Sequence, residues 1–479
     1  MNDTPYIHVF RTSEQCYVYD VNTTKILKVP EAVHDYLSNQ IISDVDEDTI
    51  AFVQDMKAQG FLRSDRVEIP EHPATPLLPF YLKNKMHQLI LQVTQKCNLR
   101  CSYCTYSGTY KKRTHSSNTM SVEVAERVID FFIKRTKDSK RVTVSFYGGE
   151  PLLNLDLIKH CVDYIETRYY GRTMNFSMTT NGTLLDENVV AFLVSKGFQI
   201  LISLDGPKET HDRNRRFSNN NEGSFSVIME NVAKIKSLYS DYYRTNVNFN
   251  AVSDTQQMFS CVNEFISDPE IFGDGKFMLN YITDSYTDRE INVNEEFIAD
   301  REYELFKFLL SKLGEFPRNK TSYLLDSRFS GIFLHCFQNI KMEQERIPSK
   351  FHHSGPCIPG ASRLFADTRG NFFPCEQVDE LSAAVMLGDI EKGISLKQAE
   401  QILNLETTTH SKCKNCWVYR QCTICVVRTE EIQDASKPYK RCASVCKTID
   451  GVFKDYCVLR ELGYTFDEER LWGSKDVWN

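Results

Sequence analysis

Along the first 68 residues, apolar and polar positions alternate with a period of two and then switch to helical spacing. IHVFRT (7–12), QCYVYDV (15–21) and KILKVP (25–30) predict three short strands, with turns at Ser13-Glu14 and Asn22-Thr23. Pro30 stands where a first helical turn begins, and EAVHDYL follows it. In DEDTIAFVQDMKAQGF, Ile50, Phe52, Val53 and Met56 fall close to helical spacing, and Gly60 supplies a stop. Three strands followed by helices predict a small winged-helix-like module over 1–68. Pro70, Pro73, Pro76 and Pro79 then predict a semi-rigid, extended linker over 69–84.

From 89 to about 283 the pattern changes again, alternating short β-type runs with helical stretches. The predicted strands are LILQV (89–93), VTVSF (142–146), MNFSMT (174–179), QILISL (199–204), NVNFNAV (246–252) and KFMLNYI (276–282). Such alternation predicts an α/β fold with a parallel sheet under covering helices. Six units make a partial (β/α)6 barrel, short of the eight in a closed one. Chemistry is then expected on loops at the C-terminal strand ends. The core is assigned to 85–290, a charged helical bridge to 291–350, and a C-terminal domain rich in cysteine and glycine to 351–479.

Composition narrows the function classes. The chain has 479 residues and a net charge of −7, and its 41% hydrophobic content excludes a mainly disordered chain. Residues 1–80 carry 13 acidic and 6 basic side chains, so the N-terminal part alone accounts for the net charge. That acidity opposes nucleic-acid binding. No run approaches 18 apolar residues, so no membrane span is expected. The N-terminal MNDTPYIHVFRTSEQ lacks a secretory pattern. A reducing cytoplasm is therefore expected, where 16 cysteines suggest metal and not disulfides.

The first cysteine group is QVTQKCNLRCSYCTY, directly after the first core strand, with Cys97, Cys101 and Cys104. Structural zinc uses four ligands, and a fully ligated four-iron–four-sulfur cluster needs four thiolates. Three thiolates on one loop leave one iron open to bind another molecule. The second core strand ends in FYGGEP (146–151). This combination resembles the signature of radical S-adenosylmethionine (SAM) enzymes, with Tyr103 at the aromatic position before the last cysteine. The resemblance implies that Gly148, Gly149 and Glu150 belong to the cofactor site. TTNGTLL (179–185) and SLDGPKETHDRNR (203–215) are also similar to that family, and place Ser203 and Asp205 near the cofactor ribose. It further implies that the reduced cluster cleaves SAM to a 5′-deoxyadenosyl radical that abstracts a substrate hydrogen.

The second group comprises Cys357, Gly370 and Cys375, then CKNCWVYRQCTIC with Cys413, Cys416, Cys422 and Cys425, then Cys442. A zinc ribbon is the competing reading. The whole pattern resembles the seven-cysteine SPASM domain, which carries two auxiliary four-iron–four-sulfur clusters, so the family implies three clusters. One departure is the final C-x2-C, where the usual pattern has three intervening residues. By this resemblance Cys357, Cys375 and Cys425 serve the first auxiliary cluster, and Cys413, Cys416, Cys422 and Cys442 the second. Cys336 or a substrate thiolate completes the first, or its iron stays open. Cys446 is an alternative to Cys442.

Residues 1–68 resemble the recognition element of enzymes that modify ribosomally made peptides, binding a leader by strand addition. Together these resemblances imply a maturase of the sactipeptide and ranthipeptide kind. It would form thioether crosslinks in a cysteine-containing precursor peptide, served by a flavodoxin- or ferredoxin-type reductant. Sulfatase maturation to formylglycine, carbon–carbon crosslinking, epimerisation, or a non-catalytic iron–sulfur or zinc protein that binds a peptide are the alternatives.

Overall fold

A computed structural model describes residues 4–38, 45–107, 114–273, 276–282, 292–322, 324–325, 346–353, 357–428 and 440–466. Cys336 and most of the second half of the expected helical bridge lie outside them.

The three N-terminal strands form: β1 (Ile7–Arg11), β2 (Cys16–Asp20) and β3 (Lys25–Val29) make an antiparallel sheet in the order β1-β2-β3. Two helices follow, α1 (Glu31–Leu37) and α2 (Glu47–Ala58). Alternation in β2 decides what each face of the sheet covers. Val18 points to a small core with Val29, Val33, Val53, Met56 and Leu62, while Tyr17 and Tyr19 join the main core of the molecule. In α2 the buried stripe is Thr49, Val53 and Met56, whereas Ile50 and Phe52 are exposed. The spacing 49-53-56 is the better helical face, and the sheet selects it.

The proline-rich segment departs from the extended linker the sequence suggests. Ile69–Pro70 (β4) pairs with Lys350–Phe351, and Leu78–Asn84 is a helix, α3, that buries Leu78 and Leu82. Pro79 lies in its first turn, where the missing N–H costs nothing.

The six core strands are parallel: β5 (Gln88–Thr94), β6 (Thr143–Gly148), β7 (Asn175–Thr180), β8 (Gln199–Ser203), β9 (Val247–Ser253) and β10 (Lys276–Tyr281). Each lies within about two residues of its expected place. Helices between them are set by capping and apolar stripes. At Val122–Ile133, Ser121 accepts from Val124 N at 3.2 Å, and Ala125, Val128, Ile129, Phe132 and Ile133 are buried.

The sheet does not stop at six strands. Leu364–Ala366 pairs parallel with β5, and the short antiparallel strands Asn371–Phe373, Gly388–Asp389 and Gly393–Ile394 carry it to ten. The run QLILQVT is thereby explained: β5 is an interior strand, buried along nearly all its length. The first part of the C-terminal domain is thus tied to the main core through Leu364, Phe365, Phe372 and Leu387, all fully buried.

Candidate functional site

The chain leaves β5 at Thr94 and enters the cysteine loop. What holds that loop is the end of β6. Gly149 N donates to Thr94 O at 2.9 Å and Glu150 N to Lys96 O at 2.8 Å. Gly148 has a φ of 145°, and a Cβ on it would sit 2.0 Å from Thr94 O. A Cβ on Gly149 would sit 2.2 Å from Lys96 O. Glycine is therefore required at both positions, and the two backbones clamp the chain just before Cys97. Further along, Arg100 N donates to Arg216 O (2.8 Å) and Ser102 N to Asn214 O (3.0 Å), fastening the loop to the segment after β8.

Cys97, Cys101 and Cys104 lie within electrostatic reach of one another. Donors face their sulfurs: Leu99 N to Cys97 Sγ at 3.4 Å, Tyr106 N to Cys104 Sγ at 3.5 Å, Asn181 Nδ2 to Cys97 Sγ at 4.0 Å, and Arg215 Nη1 to Cys101 Sγ at 3.9 Å. Amide and guanidinium donors on sulfur suit an iron–sulfur cluster, whose thiolates accept such bonds. Burial pushes the Cys97 thiol up to about 11 and the Cys101 thiol up to about 12, so both are protonated until metal takes the sulfur.

Glu150 is fully buried and faces the protein. Its carboxylate accepts from Leu152 N (3.1 Å), Thr180 Oγ1 (2.8 Å) and Asn181 N (2.7 Å), joining the end of β6 to the end of β7. Burial raises it to about 7 against those three donors. Asn181 in turn donates to Asn98 Oδ1 at 2.8 Å and accepts from Thr183, so TTNG braces the cysteine loop from the third strand.

Asp205, just past β8, accepts from Arg215 Nε at 2.9 Å, from Val252 N at 3.0 Å and from the Tyr103 hydroxyl. Asp205 is 1% exposed and Arg215 6%, so this is a buried ion pair, and the guanidinium lies 5.4 Å from the Tyr103 ring centre. Ser203 is buried at the end of β8, opposite Asn250. All nine residues read from the core motifs therefore come to one edge of the sheet. Arg215 and Asn181 were not singled out from sequence, although both lie inside the quoted motifs.

The C-terminal cysteines gather differently. Cys375, two residues beyond a strand, reaches Cys425, while Cys357 is exposed. Cys413, Cys416, Cys422 and Cys442 form one electrostatic group, and Cys446 joins it through a hydrogen bond with Cys416. Burial pushes Cys375, Cys413 and Cys422 up to about 12, whereas the bond with Cys446 lowers Cys416.

The spacing of the thiols tests the metal. Four thiolates on one zinc lie about 3.8 Å apart, given a Zn–S bond of about 2.3 Å. Among the described residues the only trio of His, Cys, Asp or Glu donors within 4.8 Å of one another is His352, His353 and Glu406. Among the described residues no trio of cysteines closes to that distance. The His–Glu trio has its own partners. Glu406 accepts from Tyr419 OH (2.7 Å), His353 N (3.0 Å) and His410 Nδ1 (3.0 Å), and His352 Nε2 accepts from Glu406 N at 3.3 Å. Burial holds His352 neutral, at about 3, and the network props up the turn that leads to Cys413. No sequence pattern signals it.

The N-terminal module packs on this second site. Tyr6 OH donates to Cys416 O at 2.8 Å, the His8 ring stacks on Trp417 at 3.6 Å, and His8 Nε2 meets Asp450 at 2.8 Å.

Residues 91–252 match the profile of the Radical SAM superfamily. A cysteine-type anaerobic sulfatase-maturating enzyme of Clostridium novyi is 34% identical over 171 residues, 34% of this chain and 44% of the relative. The radical SAM cyclopropyl synthase TigE of Paramaledivibacter caminithermalis is 23% identical over 216 residues, 42% of this chain and 43% of the relative. The chain thus spans less than half the length of these relatives. Among solved structures, anSMEcpe with bound AdoMet superposes with a TM-score of 0.60 at 19% identity, covering 80% of this chain and 97% of that one. The same protein with AdoMet and the Cp18Cys peptide gives 0.58 at 20% identity, covering 79% and 98%. The fold is therefore shared with anSMEcpe, and residues 91–252 carry the similarity to the Radical SAM superfamily.

Proposed function

We propose that the protein is a radical SAM maturase that forms thioether crosslinks in a ribosomally made, cysteine-containing precursor peptide. The observation that carries the reading is the cysteine trio clamped at the C-terminal edge of the parallel sheet by Gly148 and Gly149. Cys97, Cys101 and Cys104 would hold a four-iron–four-sulfur cluster, and SAM would lie along Tyr103, Gly148–Glu150, Ser203 and Asp205. When bound, these groups supply a carbon-centred radical able to take hydrogen from an unactivated C–H bond. The protein's own part is placement. The clamp fixes the loop, Arg215 and Asn181 set donors on the sulfurs, and Asp205 fixes Arg215 and Tyr103.

Cys357, Cys375 and Cys425, and Cys413, Cys416, Cys422 and Cys442, would hold two auxiliary clusters in a SPASM domain. The module at 1–68 would bind a leader by strand addition. Its β3 is an edge strand, and α2 leaves Ile50 and Phe52 exposed on the helix that also exposes Glu47, Asp48 and Asp55. Each link removes two hydrogens from the peptide: one would leave as a hydrogen atom taken by the radical, the other as a proton whose electron an auxiliary cluster would accept, while a flavodoxin- or ferredoxin-type reductant would supply the electron that SAM cleavage needs. A cytoplasmic setting suits this chemistry, and among the described residues no helix is long and apolar enough to cross a membrane.

Similarity to sulfatase-maturating enzymes supports a second reading, oxidation of a peptide cysteine to formylglycine. Mass spectrometry of the precursor before and after anaerobic reaction separates the two. Loss of two hydrogens per link with matching loss of free thiol means a thioether. A product that reacts with a hydrazide probe means formylglycine and overturns the first reading. A colourless, zinc-loaded protein after iron reconstitution overturns both.

A further inference from the structure

Cys446 falls outside the seven-cysteine pattern, yet the fold gives it a place. The helix Lys440–Glu461 carries Cys442 and Cys446 four residues apart, so their side chains share one face about 5–6 Å from each other. Cys446 is hydrogen-bonded to Cys416, and both helix thiols lie within electrostatic range of Cys422, Cys442 of Cys413 as well. The other three thiols come from a separate segment of short turns, with Cys413 closing the helical turn His410–Cys413 and Cys416 and Cys422 flanking Tyr419–Gln421. One side of the site is therefore three thiols in fixed loop positions, and the other is a helix face that presents two. A cubane cluster takes four thiolates. The site has five.

We propose that Cys442 and Cys446 are interchangeable ligands, either of which completes the second auxiliary cluster with Cys413, Cys416 and Cys422. The proposal rests on the reading that this site holds a four-iron cluster. Exchange breaks one iron–thiolate bond and forms another while a proton moves between the two cysteines, so no electron is gained or lost. A cysteine that merely packed beside the site would not hold iron when its neighbour is removed. The hydrogen bonds of Glu406 with His352, His353 and Tyr419 tie the turn before Cys413 to the turn between Cys416 and Cys422.

The test uses the full chain, reconstituted anaerobically, with iron and sulfide counted per chain and the reduced protein examined by electron paramagnetic resonance. Wild type is expected to hold about twelve irons, three four-iron clusters. C442A and C446A should each keep about twelve, with one of the three signals shifted in one or both variants. The double variant C442A/C446A should fall to about eight and lose that same signal. Alanine is the best helix former, so the helix survives these changes. C457A, on the same helix but buried in the apolar core, is the packing control and should keep about twelve with unshifted signals.

A fall to about eight in C442A alone, or in C446A alone, overturns interchange and leaves a single obligatory ligand. Retention of about twelve in the double variant, or its loss of all iron, also overturns it. Wild type with about eight irons fails at the earlier step, the auxiliary cluster itself, and is told apart from a failure of interchange by needing no variant.

Discussion

The two cysteine sites of this molecule are built on opposite principles. The first stands on a continuous parallel sheet and is held by backbone. Gly149 N and Glu150 N bond the strand end of β5, and Arg100 and Ser102 bond the segment after β8. The second stands on short turns and one helix and is held by side chains, through Glu406, Tyr419, His353 and the ring of His8 on Trp417. A site on a sheet edge is pre-formed, because its loop ends where hydrogen-bonded strands end. A site on short turns and one helix lacks that continuous ladder and depends on side-chain contacts and on what fills it. Under the proposed function the first site would aim a cofactor, and the second would hold a cluster that stores or passes electrons.

The largest expected effect breaks or upholds that contrast directly. Removing iron by chelation should speed amide exchange in 410–428 and 440–461 by roughly tenfold or more, while β5 to β8 stay protected. Hydrogen–deuterium exchange of loaded and stripped protein checks this, and equal loss at both sites would end the distinction. Next, G149A forces a Cβ to 2.2 Å from Lys96 O and should open the clamp. About four irons per chain and all 5′-deoxyadenosine formation should be lost, with the C-terminal clusters retained; iron counts and product chromatography read both.

Arg215→Met leaves Asp205 as an uncompensated buried charge and should destabilise the core by about 3–5 kcal/mol, while the Asp205→Asn/Arg215→Met pair should cost less than the sum of its parts. Denaturant titration of the four proteins closes that cycle. Glu150 gives a pH signature. Its folded value of about 7 lies above the ordinary 4.5, so its protonated form stabilises the fold below about 4.5, and that contribution is lost as pH rises through 7. Wild type should therefore lose more thermal stability than Glu150→Gln between pH 5 and 8; parallel curves would place the shift elsewhere. The smallest effect is Tyr6→Phe, which removes one hydrogen bond to Cys416 O. About 1 kcal/mol should be lost, with the first site's iron unchanged.

Much of the scaffold was legible because its signals are local. Six apolar runs bounded by polar turns mark the six parallel strands, and C-x3-C-x2-C followed by FYGGEP marks the clamp. Where side chains choose between neighbours, sequence periodicity misleads. Ile50 and Phe52 look as core-facing as Val53 and Met56, but the three-stranded sheet takes the face of Thr49, Val53 and Met56. Prolines at 76 and 79 suggest extension, yet Leu78 and Leu82 gain more by packing as a helix whose first turn tolerates them. The extension of the sheet by residues 364–394 leaves no trace, since its strands are two or three residues long and the first of them pairs with β5 across some 275 positions.

The sequence by itself determined the chemistry on offer: three thiols on one loop, two glycines after the next strand, and a second cluster of thiols near the C-terminus. Those are statements about spacing along the chain, and covalent connection carries them. Only the tertiary structure decided the partners. It set Arg215 on Asp205 and Cys101, Glu150 on the TTNG turn, and the N-terminal sheet on Cys416, and it brought Cys446 to Cys416, 30 residues earlier. Contacts of that kind form between residues far apart in the chain, where burial and hydrogen-bond satisfaction of whole elements choose the neighbour and local pattern has no say.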